Sequence, residues 1–185
     1  MNTRRRISKI KSQLILATAN WLPTIDNRPL TSGYLCTMEL TIFSDENYMR
    51  EALKEAQKAF DDDEVPVGAI IVCENRIIAR AHNLTERLND VTAHAEMQAI
   101  TSAASYMGGK YLNECTLYVT LEPCLMCAGA LHWSQMKKIV FGAHDPKRGF
   151  LRLQKEVLHP KTELVGGLLE EESSVLLKTF FQRKR

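Results

Sequence analysis

The chain has 185 residues, 45% of them hydrophobic and 25% charged, with a formal net charge of +2. That length accommodates one self-sufficient domain of about 100–150 residues plus an extra segment. The composition excludes a largely disordered chain. No run approaches the ~20 apolar residues of a membrane-spanning helix, so a soluble globular protein is expected.

Charge divides the chain unequally. Residues 1–37 carry six Lys/Arg (Arg4, Arg5, Arg6, Lys9, Lys11, Arg28) against Asp26 alone, so a basic leader precedes a slightly acidic body. Within it Leu14-Ile15-Leu16-Ala17 is a short apolar stretch, and Trp21, two prolines and Gly33 follow. Three readings stand for this leader: a signal peptide, an amphipathic transit peptide, or an extension upstream of a body starting at Met38. The cysteines Cys36, Cys73, Cys115, Cys124 and Cys127 are odd in number and only the last two are close together. That usage points to a reducing compartment and a metal or redox pair, not to a disulfide framework.

From Ser44 the patterning is strong. Ser44 suits a helix N-cap, and Tyr48, Met49, Ala52, Leu53, Ala56 and Phe60 recur at helical spacing before the acidic run Asp61–Glu64. Val67–Val72 and Arg76–Ala81 flank Cys73-Glu74-Asn75 and predict a hairpin. His94–Ser105 predicts a helix with Met97, Ile100 and Ala104 on one face, stopped by Gly108-Gly109. Thr116–Leu121 reads as a buried strand and Cys124–Trp133 as a compact helix behind Pro123. Lys138–Phe141 is a further strand, and Gly142-Ala143-His144-Asp145-Pro146 a loop. A short helix, a weak strand near Thr162–Val165 and a final helix Glu170–Phe181 complete the chain. This order predicts an α/β domain, one mixed sheet with helices on both faces.

Chemistry concentrates in two short segments. Pro123-Cys124-Leu125-Met126-Cys127 puts two sulfurs one helical turn apart. The Pro holds Glu122 extended and suits the first turn of a helix, where free N–H groups favour thiolates. Such a pair suits zinc, and a redox pair is the rival reading. In Thr92-Ala93-His94-Ala95-Glu96, positions two apart on a helix point about 200° from one another. His94 and Glu96 therefore serve one centre only if it lies off the helix N-terminus. One nitrogen and two sulfurs leave a fourth tetrahedral position for water, the mark of a catalytic rather than a structural zinc. Zinc brings bound water towards a pKa of ~7, and Glu96, unneeded as a ligand, becomes the proton shuttle. Taken singly, His94 reads as a satisfied surface or core histidine and Glu96 as a solvated helix residue. A closed structural site with Cys73, Cys115 or His132 as fourth ligand is a further reading. Together, H-x-E and P-C-x-x-C separated by a strand form the signature of the zinc deaminases.

Residues 38–185 resemble the bacterial tRNA-specific adenosine deaminases of the cytidine deaminase-like superfamily. The matching stretches are Glu64-Val65-Pro66-Val67-Gly68-Ala69, Thr92–Glu96, Thr116–Gly129, Val140-Phe141-Gly142-Ala143 with Asp145-Pro146-Lys147, and Phe180-Phe181. Met38 falls where members of that family start, which favours an added or flexible leader over 1–37 and a deaminase domain over 38–185. The resemblance implies a three-layer fold with a mixed five-stranded sheet and one Zn2+ per chain on His94, Cys124 and Cys127. It implies activated water attacking C6 of adenine, with Glu96 moving protons from that water to the ring nitrogen and the departing ammonia. It also implies Asn83, Asp145 and Lys147 as substrate-binding residues, the latter two in a loop against RNA. The product would be inosine at the wobble position of a tRNA anticodon, made by a cytoplasmic homodimer acting on the anticodon stem-loop. Val91, Gln135 and a short Leu158–Thr162 segment depart from the family pattern.

Two rivals remain at this level. A deaminase of a free guanine- or cytosine-type base or nucleoside would keep the same centre but need no cations at its mouth. Lys147, Arg148, Arg152 and Lys155 after the Asp145 loop favour RNA. A zinc-stabilised binding module without turnover would have no use for Glu96 beside an open coordination position.

Overall fold

The computed structural model describes residues 43–153 and 157–185. The leader, with Cys36 and Met38, and Lys155 lie outside the described residues. Helix α1 (Asp45–Asp61) starts at Ser44, whose Oγ accepts the Asn47 N–H at 3.2 Å. It buries the predicted stripe of Tyr48, Met49, Ala52 and Ala56. Strands β1 (Gly68–Cys73) and β2 (Arg76–His82) form the hairpin. Glu74 and Asn75 both take positive φ (49° and 61°), which matches the two-residue turn whose twist suits paired strands.

Helix α2 (Ala95–Met107) and strand β3 (Cys115–Leu121) come next, then α3 (Leu125–Trp133) and β4 (Lys138–Ala143). A 3-10 turn (Phe150–Leu153), the short β5 (Glu163–Val165) and α4 (Glu170–Arg183) end the chain. The sheet order is β2-β1-β3-β4-β5. The pairs β1–β2 and β1–β3 are antiparallel, and β3–β4 and β4–β5 are parallel. This is the mixed five-stranded sheet that the resemblance implied.

Alternation along the strands divides the core between the two faces. On one, Ala69, Ile71, Leu117, Val119, Ile139 and Phe141 meet Ala95, Ala99 and Ala103 of α2 and Ala128 and Leu131 of α3. On the other, Ile70, Val72, Tyr118 and Val140 meet Tyr48, Met49 and Ala52 of α1. Helix α4 joins α1 there through Phe180, whose ring meets Phe60 edge-on with centroids 6.0 Å apart. The central strands are apolar on both faces because both are covered. At Gly68 a Cβ would collide with the backbone of Ala52 and Ala56, so glycine lets α1 lie against β1. Asp45 in the first turn of α1 accepts from Tyr118 Oη at 2.6 Å and Lys138 Nζ at 2.8 Å.

Two sequence expectations are corrected. The core-facing stripe of α2 is Ala95, Ala99 and Ala103, while Met97, Ile100 and Ala104 are half-buried. A helix that approaches a sheet closely puts its smallest residues at the contact. Gly142 and Ala143, expected in a loop, extend β4, because Ala143 still pairs with Leu121.

Candidate metal centre and its cavity

The parallel strands β3 and β4 end on the same edge of the sheet, and the segments leaving them build the site. Helix α3 starts directly behind β3, with Cys124 as its N-cap residue, and His94 is the N-cap residue of α2. N-cap positions ordinarily use a polar side chain to cap the first free N–H groups. Neither Cys124 nor His94 makes a capping bond, and both side chains turn to one another instead. His94 Nδ1 lies 3.7 Å from Cys124 Sγ and 3.5 Å from Cys127 Sγ.

The three donor atoms lie within 4.8 Å of one another, and they are the one such His/Cys/Asp/Glu group among the described residues. Cys127 is fully buried and Cys124 half-buried. The hydrogen bond from Cys127 is the strongest influence on Cys124; burial opposes it, but the thiol is held down to about 4. The same bond, with burial, pushes Cys127 up. One nitrogen and two sulfurs at this spacing, with one sulfur already poised as thiolate, fit zinc with a position left open.

The structure removes the closed-site reading. Cys73 and Cys115 face each other across β1 and β3, and burial pushes the Cys115 thiol up to about 12. His132 Nδ1 is 3.0 Å from the Val157 carbonyl oxygen. None of the three belongs to the donor group.

Glu96, in the first turn of α2, is 4% exposed and is not one of the three donors. Burial is the main influence on its carboxyl and raises it above the ordinary carboxylate range, although its own backbone N–H and His94 pull it down. It lines the same cavity as His94 and Cys124, a concavity of about 830 Å3. That is room for a nucleoside-sized ligand. Val65, Val67 and Leu121 supply apolar wall, Asn83 and Thr85 polar wall, and Lys147, Arg148, Phe181, Lys184 and Arg185 the rim. Asn83 reaches the wall because Leu84 N–H donates to Ala93 O at 3.0 Å, which ties the end of β2 to the start of α2.

Of the other sequence-predicted residues, Asn83, Asp145, Lys147 and Arg148 line this cavity, whereas Arg152, whose guanidinium donates to the Lys147 carbonyl oxygen, does not. Asp145 lines it, but its Oδ1 accepts the Lys147 and Arg148 N–H groups at 2.9 and 3.0 Å and so also shapes its own loop. Arg183 does not line the cavity. It pairs with Asp63 Oδ1 at 2.8 Å and its guanidinium lies 4.7 Å from the Phe60 ring centroid. Lys184, which pairs with the same Asp63, still reaches the rim.

Two buried carboxylates escaped the sequence reading. Glu122, 5% exposed, accepts the Asp145 N–H at 3.1 Å and the Leu151 N–H at 2.9 Å, holding the rim loop at both ends. A Cβ on Gly149 would run into that carboxylate. The Phe150 N–H donates to Pro123 O at 3.0 Å, so the loop is pinned to the segment carrying Cys124. Glu64, 1% exposed, holds the loop after β2 in the same way. The signal available was a carboxylate beside an apolar run and a proline at each position, Glu64-Val65-Pro66 and Leu121-Glu122-Pro123.

The model of the cytidine and deoxycytidylate deaminase zinc-binding region matches residues 43–143. A tRNA-specific adenosine deaminase of Bacillus subtilis is 50% identical over 146 residues, 76% of this chain and 91% of that protein. A solved tRNA:A34 deaminase, studied for A-to-I editing at the wobble position of transfer RNA, aligns with a TM-score of 0.67. It is 42% identical and covers 71% of this chain and 99% of its own. A guanine deaminase from Bacillus subtilis aligns with a TM-score of 0.53 and 36% identity, over 55% of this chain and 65% of its own. The chain is a zinc-binding member of the cytidine and deoxycytidylate deaminase family, and within it belongs with the tRNA-specific adenosine deaminases.

Proposed function

We propose that the chain hydrolyses adenosine to inosine at the wobble position of a tRNA anticodon, with water as co-substrate and ammonia as co-product. The observation that carries this reading is the cavity itself. The buried Glu96 carboxylate and two of the three donors, His94 and Cys124, line it, and Phe181 with Lys147, Arg148, Lys184 and Arg185 forms its rim. A flipped adenine fits the floor, and the rim supplies stacking and phosphate contacts to the single-stranded loop around it.

His94, Cys124 and Cys127 hold the zinc, which supplies Lewis acidity towards water. Glu96 carries the protons. It accepts one from the attacking water and delivers it to the ring nitrogen beside C6, then takes the remaining proton from the hydroxyl now on C6 and passes it to the amine, which leaves as ammonia. Its raised affinity for protons, a consequence of burial, suits a group that must both take and give one. Val65, Val67 and Leu121 exclude bulk water from the base. Asn83 hydrogen-bonds the nucleoside, and Asp145 and Lys147 face the RNA strand from the loop that Glu122 holds.

Lys147, Arg148 and Arg185 line the rim and have no carboxylate partner among the described residues. Replacing all three with alanine should reduce the slope of log affinity for tRNA against log salt by about 2, because each phosphate neutralised on a single strand adds ~0.7 to that slope. Parallel salt titrations of the parent and the variant test this. Coincident slopes would take these residues off the RNA surface.

We infer a homodimer from α3, which buries Cys127, Ala128 and Leu131 but leaves Leu125 and Met126 partly open and Trp133 79% exposed. A helix apolar on both sides is covered on both sides, and a second copy is the occupant this chain itself provides. Trp133→Glu should sediment as a monomer at a concentration where the parent is a dimer; a monomeric parent would oppose the inference. Cytoplasmic residence fits a tRNA substrate and the free thiols of Cys73, Cys115, Cys124 and Cys127. Cell fractionation that recovers the protein from an oxidising compartment would contradict it.

A further inference from the structure

The buried carboxylate of Glu64 meets donors only. Its Oε1 accepts the Arg87 N–H at 2.7 Å. Its Oε2 accepts the Glu86 N–H at 3.2 Å, the Thr85 hydroxyl at 3.3 Å and Asn83 Nδ2 at 3.0 Å. The Thr85 hydroxyl has one hydrogen, directed at Glu64, and its lone pairs face Asn83, whose Nδ2 donates to it at 2.9 Å. Both hydrogens of the Asn83 amide nitrogen are therefore engaged. The two ends of an amide are distinguished by their partners, and these partners allow one orientation. Turned over, Asn83 would set its carbonyl oxygen against a carboxylate. Asn83 is 5% exposed and lines the cavity, and Oδ1 is the end of its amide left to face a ligand.

We propose that Glu64, directly and through Thr85, fixes Asn83 as a hydrogen-bond acceptor on the cavity wall, so that the pocket selects a donor on the nucleoside at that point. Glu64 is a positioning residue, and Asn83 is the group that touches the substrate. The inference rests on the adenosine reading for the identity of that substrate. On adenosine, N1, N3 and N7 are acceptors and cannot pair with Oδ1. The groups that can are the exocyclic amine and the ribose hydroxyls. A ligand that offers a ring nitrogen there leaves two acceptors opposed and unpaired, which such a buried site rejects.

The test is a polarity exchange with an anticodon stem-loop as substrate and probe. Glu64→Gln keeps an oxygen for the Arg87 N–H and places an amine against the amine of Asn83. Asn83→Asp places a carboxylate against that of Glu64. Each single variant should lose roughly 10- to 100-fold in kcat/KM, the weight of one hydrogen bond to a charged group. In the double variant the new glutamine amine donates to the new aspartate, which still presents an acceptor to the cavity. It should recover the part of the loss that comes from the Asn83 pair and exceed the worse single variant, although the Glu86 N–H still faces the new amine, with zinc content unchanged in all three.

A double variant that folds and holds zinc but is no more active than the worse single variant would overturn the proposal. Asn83→Ala gives an independent reading through equilibrium affinity for the stem-loop. Weaker binding than the parent is expected, and unchanged binding would overturn the proposal. A stem-loop with 2′-deoxyadenosine at the target position separates the two donors. If the deoxy sugar weakens the parent but not Asn83→Ala, the 2′-hydroxyl is the partner. If it weakens both equally, the amine is. Both outcomes keep Asn83 an acceptor. A parent enzyme that makes no inosine on the stem-loop would instead count against the adenosine reading, while the affinities continue to test Glu64.

Discussion

Glu96→Ala should retain one zinc per chain and lose about 10²–10⁴-fold in deamination rate, the usual contribution of a positioned general acid–base group. Glu96 is buried beside the centre but is outside the set of His94 Nδ1 and the two sulfurs, so its removal deletes no ligand. The alanine leaves neither a base for the attacking water nor an acid for the ring nitrogen and the departing amine. Metal analysis and single-turnover assays on the same preparation separate the two functions. Near-parent turnover would contradict the assignment, and loss of zinc would make Glu96 part of the metal site.

Cys124→Ala should behave differently, losing zinc and stability together. Cys124 supplies one sulfur, starts α3 and pairs through its backbone with Gly149 across the rim loop. A ligand present at a hundred times its Kd stabilises the folded state by about 2.7 kcal/mol. For a chain of this size that corresponds to a fall in melting temperature of roughly 5–11 °C. Chelation of the parent should reproduce most of that fall. A melting temperature indifferent to both chelator and substitution would mean that the metal is not coupled to the fold.

The contrast between these variants explains what the sequence made readable. His94, Cys124 and Cys127 were recognisable because each stands at or just inside a helix start, and the spacing within each segment already places its side chains. The hairpin was readable for the same local reason, since Glu74-Asn75 carries its own turn chemistry. Long-range pairing was not readable. Glu64 and Glu122 accept from backbone N–H groups 22 to 29 residues further along the chain, and nothing in a carboxylate's neighbours announces that. Arg183 is held away from the cavity by Asp63, a partner 120 residues earlier that no local pattern points to. The core stripe of α2 was misjudged because periodicity favours the large residues Met97 and Ile100, whereas close approach to the sheet selects alanine. The two extra residues of β4 follow from pairing with Leu121, a property of the neighbouring strand.

The central claim is that this centre acts on adenosine within tRNA and not on a free base. It is tested most directly by incubating the zinc-loaded protein with unmodified tRNA, and separately with free adenine, guanine, cytosine and their nucleosides, and assaying every product. The account predicts inosine at the first anticodon position of tRNA, dependent on Glu96, and little or no turnover of the free compounds. Deamination of free guanine or cytosine with no inosine in tRNA would contradict it and assign the same zinc centre to a small-molecule deaminase.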